Sequence, residues 1–177
     1  MGRIIAVYGL IAAIIVIIGW NIGMLLVPEG GAAGMVAGYL SMLVATSFVF
    51  VGVKRYRDTE LGGVIRFWPA LWLGLGIAAV AALAYVLSWE FYMWKTDYSF
   101  MNEYIAGYLK DLKASGASAA EIAKQSADMH DFAKQYEQPV YRMFVTLSEF
   151  APIGLLVPLI SAALLRKSSF LPAKAAT

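Results

Sequence analysis

Four apolar segments, each about the length of a membrane-spanning helix, determine what this chain can fold into. They cover residues 4–27, 35–53, 65–89 and 140–165 of the 177-residue sequence. A helix needs about 20 apolar residues to cross the hydrocarbon core of a bilayer. Charged residues make up only 15% of the chain, whereas soluble domains carry about 25%. The sequence therefore predicts a single all-α membrane domain with four transmembrane helices.

A basic cluster directly after the second apolar segment predicts the orientation of the chain. Lys54, Arg55 and Arg57 follow this segment closely, and positive charge beside a span marks its cytoplasmic end. Arg3 and the pair at residues 166–167 then lie on the same side, which places both termini in the cytoplasm. The first segment is longer than the apolar core of a cleaved signal peptide, so we expect an uncleaved anchor. Lys54, Arg55 and Arg57 are also candidate contacts for an anionic lipid or a cytoplasmic partner.

The segment between the third and fourth spans is polar and amphipathic. From residue 90 to residue 137 it carries five lysines and eight acidic residues, and the resulting negative charge suits an exported segment. Apolar side chains recur at helical spacing on both sides of a turn signal at residues 115–116. Ser118 and Glu121 form a capping box at the start of the second helical stretch. The pattern predicts an external two-helix amphipathic hairpin over residues 98–137.

Small residues recur every four positions around the start of the second span. They are Gly30, Gly34 and Gly38. This spacing lets two helix backbones approach closely. Two interpretations stay open: packing of the second helix on the first within one chain, or an interface between two copies in a homodimer.

The fourth apolar segment carries the polar residues that are least expected in lipid. Arg142, Thr146 and Glu149 are spaced by four and three positions, so they share one face of a helix. Glu149 lies about ten residues from the outer end, on the order of 15 Å deep at 1.5 Å per residue. An ionisable group at that depth costs roughly 2.5–3.5 kcal/mol unless it is protonated, paired or hydrated. Other polar residues at the outer level complete a candidate polar cluster or cavity: Asn21, Ser41, Ser88 and Glu90.

Three roles for this cluster stay open. The first is an interhelical clamp in which Arg142 or Asn21 satisfies Glu149. The second is a ligand cavity that opens to the outside. The third is catalysis, with Glu90 or Glu149 as the base.

Composition and motifs argue against several functional classes. The chain has no cysteine and a single histidine, His130, so the sequence predicts no metal site. Enzyme and nucleotide-binding motifs are missing from the sequence, and we expect no cofactor. A net charge of +2 is too small to predict nucleic-acid binding.

Several short motifs resemble a known family. They are GYLSM at residues 38–42, GVKRYRD at 52–58 and LGG at 61–63, and the similarity extends to three further stretches: Tyr85-Val86 with Trp89-Glu90, residues 114–117, and Glu149 with Pro152 and Gly154. Together they resemble the small bacterial membrane family known as domain of unknown function 4199. The resemblance implies a multi-pass protein of the bacterial inner membrane, and it transfers no catalytic residue.

The sequence leaves three functional hypotheses, in order of preference. The first is a non-enzymatic inner-membrane protein that binds or modulates a lipid or a membrane protein partner. The second is a small transporter or channel, oligomeric in form, that uses the intramembrane Glu149. The third is an enzyme acting on a membrane lipid. The expected partners are membrane lipids, a second copy of the chain or another membrane protein.

Overall fold

The computed structural model describes residues 1–26 and 31–173. In this part of the chain six helices follow one another: α1 (Gly2–Leu26), α2 (Gly31–Glu60), α3 (Phe67–Lys95), α4 (Phe100–Ala114), α5 (Ala119–Tyr136) and α6 (Pro139–Leu165). The helices α1, α2, α3 and α6 are each long and apolar enough to cross a membrane. The predicted fold class, four such helices with a two-helix hairpin between the third and the fourth, is confirmed.

Two helices extend well beyond their apolar stretches. α2 continues through the basic cluster to Glu60, about two turns past residue 53, and α3 continues to Lys95. The basic cluster therefore lies on a helix and not in a loop. The orientation of the chain stays a prediction, as does its organisation as one membrane domain.

The four long helices form one bundle in which α2 and α3 each pack against both α1 and α6. Two buried clusters fill it, one toward the Lys54 end and one toward the hairpin end. Large apolar side chains such as Leu10, Ile14, Leu156 and Ile160 lie exposed on its outside. A soluble bundle would bury such faces, whereas a membrane bundle presents them to lipid.

Gly19 of α1 makes a close contact with α2, whereas the predicted Gly38 does not. A Cβ atom built on Gly19 would lie 2.5 Å from the Cβ of Ser41. A Cβ atom built on Gly38 would meet no atom within 4 Å, so the close packing expected there within one chain is not made. Gly34 is half-buried, and Gly30 lies outside the described residues. The alternative, an interface between two copies, stays a prediction.

Gly19 and Gly38 provide a matched pair for testing this packing. We expect Gly19→Ala to lower the free energy of unfolding by about 1–3 kcal/mol, because the added methyl group overpacks the contact with Ser41. Gly38→Ala should leave it nearly unchanged. Unfolding of both variants in detergent measures the difference. A loss of stability confined to Gly38→Ala would contradict the observed helix contact and favour the homodimer interpretation.

The α4–α5 hairpin packs on the bundle through aromatic side chains of α4. Phe100 packs edge-on against Trp89 at 4.8 Å between ring centroids, and Trp89 lies 5.8 Å from Trp20 of α1. A third buried cluster joins the hairpin to the C-terminal end of α3, with Met93, Met101, Ile105 and Tyr136 as its buried members. The cap predicted at Ser118 is present, since its Oγ accepts a hydrogen bond from the backbone N–H of Glu121 at 3.2 Å. The hairpin therefore packs as a structured element against the four-helix bundle.

Candidate functional site

An arginine–carboxylate pair joins α6 to α3 at the hairpin end of the bundle. Arg142 donates from Nε to Oε1 of Glu90 at 2.7 Å and from Nη2 to Oε2 at 2.6 Å. The side chain of Arg142 is 1% exposed and that of Glu90 is 17% exposed. Paired bonds of this kind are stronger than neutral hydrogen bonds and permit only one relative geometry. The pair therefore sets how α3 and α6 meet.

Arg142 also binds the end of the α4–α5 hairpin. Its Nη1 atom donates to the carbonyl oxygens of Tyr136 at 3.0 Å and Glu137 at 3.3 Å. The rings of Tyr98 and Tyr136 lie 5.1 Å and 5.9 Å from the guanidinium carbon, within the range of cation–π attraction. One side chain of α6 thus holds together α3, the end of α5 and the turn before α4.

Tyr136 is the second anchor of the hairpin. Its hydroxyl accepts a hydrogen bond from Nε1 of Trp89 at 2.7 Å. Burial raises the pKa of the Tyr136 phenol above its usual value, so this side chain stays protonated and neutral at physiological pH. Tyr136 therefore adds packing and a hydrogen bond beside Arg142 without adding a charge.

A cleft of about 390 Å³ opens beside this pair. Its lining residues are Met93, Asp97, Tyr98, Met101, Asn102, Ala133, Tyr136, Glu137 and Arg142. Asp97 and Tyr98 have φ angles of 51° and 58°, a left-handed conformation that residues other than glycine rarely adopt. Such backbone persists only where the surroundings hold it, and it clusters at binding and active sites. The cleft is therefore a candidate binding site at the hairpin end.

Glu149 is bound by a residue that the sequence did not suggest as its partner. Its Oε2 atom accepts a hydrogen bond from the Tyr85 hydroxyl at 3.2 Å. Arg142 is engaged by Glu90 instead, and Asn21 donates to the backbone carbonyl of Ile17 at 2.8 Å. The predicted clamp between Glu149 and Arg142 or Asn21 is therefore corrected. Glu149 is exposed on the surface of the bundle.

The structure brings together some of the other predicted cluster residues and separates the rest. Thr146 is buried one turn after Arg142 along α6, and its hydroxyl donates to the carbonyl oxygen of Arg142 at 2.9 Å. Ser88 accepts a hydrogen bond from Nε1 of Trp20 at 3.1 Å. Ser41 lies in the contact between α1 and α2, and Asn21 is exposed. The observed site is thus smaller than the predicted cluster and is built around Glu90 and Arg142.

Arg57, a predicted lipid or partner contact, is buried at the opposite end of the bundle. It is 0% exposed, donates to Oδ1 of Asp58 at 2.7 Å, and binds the carbonyl oxygens of Phe170 at 2.9 Å, Leu165 and Leu171. It therefore holds the end of α6 and the segment after it, and it is not available to a lipid headgroup. This part of the prediction is corrected.

The other two residues of the basic cluster remain accessible. Arg55 is exposed, and Lys54 is partly exposed while it pairs with Asp58 one turn away. Contact of Lys54 and Arg55 with an anionic lipid or partner stays a prediction. Among the described residues, no three histidine, aspartate or glutamate side chains lie close enough together to hold a metal ion.

Comparison with known families gives one result. The family described as "Protein of unknown function (DUF4199)" matches residues 7–167. The chain belongs to this family. No curated protein matches it, and no solved structure does.

The part that matches the DUF4199 family contains Glu90, Arg142 and Glu149. It ends before Phe170, so the segment bound by Arg57 lies partly outside the match. Sequence reasoning missed the roles of Tyr85 and of the Asp97-Tyr98 turn. For the turn, the only sequence signal was the change from apolar to polar residues directly after the third span. Nothing in the sequence identified Tyr85 as the donor to Glu149.

Proposed function

We propose that this DUF4199 member is a non-enzymatic protein of the bacterial inner membrane that binds another membrane protein through α6. The observation that carries the proposal is the position of Glu149, which is exposed about 15 Å along α6 from its start. The resemblance of several sequence motifs to a bacterial membrane family supports the bacterial inner membrane as its location.

The depth of Glu149 favours a protein partner over a lipid. Phospholipid headgroups lie at the surface of the bilayer, whereas this carboxyl group reaches the hydrocarbon region. Its bond to Tyr85 uses one of its two oxygens, and acyl chains offer no donor to the other. Polar side chains inside a membrane usually face protein or water for this reason. A transmembrane helix carrying a basic or hydrogen-bond-donating residue at the same depth would satisfy it.

The same position weakens the transporter hypothesis for a single copy. A transport pathway through one bundle needs its ionisable group in the interior, whereas Glu149 is exposed, and of the three polar residues predicted on this face of α6 only Arg142 and Thr146 are buried. In an oligomeric transporter Glu149 would lie at a contact between subunits. The partner experiment would then identify a second copy of the chain.

Photo-crosslinking in native membranes tests the proposal. We place a photoreactive amino acid at Pro152, which is exposed on α6 one turn beyond Glu149, and identify the adducts by mass spectrometry. We expect one integral membrane protein, either a second copy or another chain, to be crosslinked reproducibly. A matched probe at Leu10, on the exposed face of α1, should react with lipid only.

Two variants decide whether Glu149 is responsible for the crosslink. Glu149→Leu should abolish the adduct at Pro152, whereas Ser148→Leu, a change at the exposed neighbouring residue, should preserve it. The thermal stability of both variants is measured in parallel, so that loss of fold is recognised. Adducts that contain only lipid, or a protein adduct that persists in Glu149→Leu, would overturn the proposal.

A further inference from the structure

One face of α3 carries two cavities on successive turns. Its inner stretch lines an apolar groove of about 390 Å³ shared with α6, from Ala79 to Val86 on α3 and from Val140 to Leu147 on α6. The next turns of the same face bring Glu90 and then Met93, and Met93 lines the cleft together with Asp97 of the turn after α3. Arg142, the partner of Glu90, also lines the cleft.

The two cavities differ in depth and polarity. Ala79 lies eleven residues before Glu90, roughly 16 Å deeper along the helix axis. The groove therefore runs through the hydrocarbon region, while the cleft lies beside the exposed Trp94, at the level where aromatic side chains meet headgroups. A molecule that fills both cavities must have an apolar chain and a polar head.

The side chains at the cleft favour one kind of polar head. Asp97 and Glu137 are exposed at its rim, and neither makes an ion pair within residues 31–173. Arg142 lines the cleft and has five N–H donors, and within the described part of the chain four of them bind Glu90, Tyr136 and Glu137. The cleft thus offers two carboxylates for a cation, with the nearly buried guanidinium of Arg142 beside them.

We propose that the seam between α3 and α6 binds one phospholipid with a primary amine in its headgroup, taken from the leaflet on the hairpin side. The ammonium group lies at Asp97 and Glu137, the phosphate lies beside the guanidinium of Arg142, and one acyl chain fills the apolar groove. The site is independent of Glu149, so it holds whether or not the partner proposed above exists.

Native mass spectrometry of the delipidated protein tests the site. We titrate the protein in detergent with phosphatidylethanolamine and, separately, with phosphatidylglycerol, which has a phosphate but no amine. We expect one molecule of phosphatidylethanolamine to bind about tenfold more tightly or better, since its ammonium makes charge-assisted bonds that phosphatidylglycerol cannot make.

Matched variants separate the site from general charge effects. Asp97→Asn with Glu137→Gln should remove the preference, and asparagine tolerates the left-handed backbone at residue 97. Asp111→Asn with Asp128→Asn removes the same charge from exposed positions of the hairpin and should keep it. Ala79→Phe, which fills the groove, should weaken binding of both diacyl lipids equally.

The outcomes are distinguishable from loss of fold because each variant is first required to keep the thermal midpoint of the native protein. Equal affinity for the two lipids in the native protein would overturn the proposal. So would a preference that survives Asp97→Asn with Glu137→Gln, or one that disappears equally in the Asp111→Asn with Asp128→Asn control.

Discussion

Replacing Glu90 by leucine is expected to lower the free energy of unfolding by roughly 3–5 kcal/mol. The change leaves the guanidinium of Arg142 buried without its carboxylate, and an uncompensated buried charge costs that much. The effect should lie near the lower end of the range, because the Glu90 side chain is 17% exposed and water screens part of the charge. Unfolding in detergent, followed by circular dichroism, measures it.

A double-mutant cycle identifies the partner of Arg142. Adding Arg142→Leu to Glu90→Leu should restore part of the lost stability, with a coupling of about 0.5–3 kcal/mol. The matched cycle of Arg142→Leu with Glu149→Leu should be additive, because these two side chains do not bond to each other. Coupling to Glu149 in place of Glu90 would contradict the observed pairing.

Replacing Arg57 by leucine is expected to cost roughly 3 kcal/mol of stability. The guanidinium binds three backbone carbonyl groups and Asp58, and hydrogen bonds to charged groups contribute on the order of 1.5–3 kcal/mol each where they are buried. Their losses are not additive, so the total stays well below the sum. Arg55→Leu, two positions earlier and exposed, should change stability by about 0.5 kcal/mol or less.

A conservative variant sharpens the test of Arg57. Arg57→Lys keeps the positive charge, and therefore the orientation signal, but lysine cannot reach several carbonyl groups at once as the guanidinium fork does. We expect it to lose most of the stability that Arg57→Leu loses, with protease cleavage after Lys167 as the local measurement. Full stability in Arg57→Lys would show that the charge alone matters at this position.

The spans and the hairpin could be predicted from sequence because the bilayer imposes a simple rule. Backbone polar groups must be satisfied inside each lipid-exposed segment, so apolar length alone marks a spanning helix. The amphipathic spacing and the cap at Ser118 were equally local signals, and the structure contains both the hairpin and the cap.

The partners of the charged residues could not be predicted in the same way. Spacing along α6 puts Arg142 and Glu149 on one side of the helix, but it does not tell which residue of a neighbouring helix lies opposite. Glu90 and Glu149 are both acids in the hairpin half of the bundle, and only the packing of α3 against α6 selects Glu90. Arg57 was harder still, because its acceptors are carbonyl groups about 110 positions away, and backbone groups carry no sequence signal.

The two buried arginines have a consequence for how the protein is made. Arg57 is synthesised early, yet its carbonyl acceptors belong to the last helix and the segment after it. Glu90 is likewise made before its partner Arg142, which belongs to that same helix. Both charge networks are therefore completed only after α6 and the segment that follows it have been made and have packed against the other helices. A chain that stalls before α6 leaves Glu90 without its arginine and leaves the guanidinium of Arg57 bound only to Asp58, and these are features by which membrane quality control can distinguish an unfinished chain from a finished one.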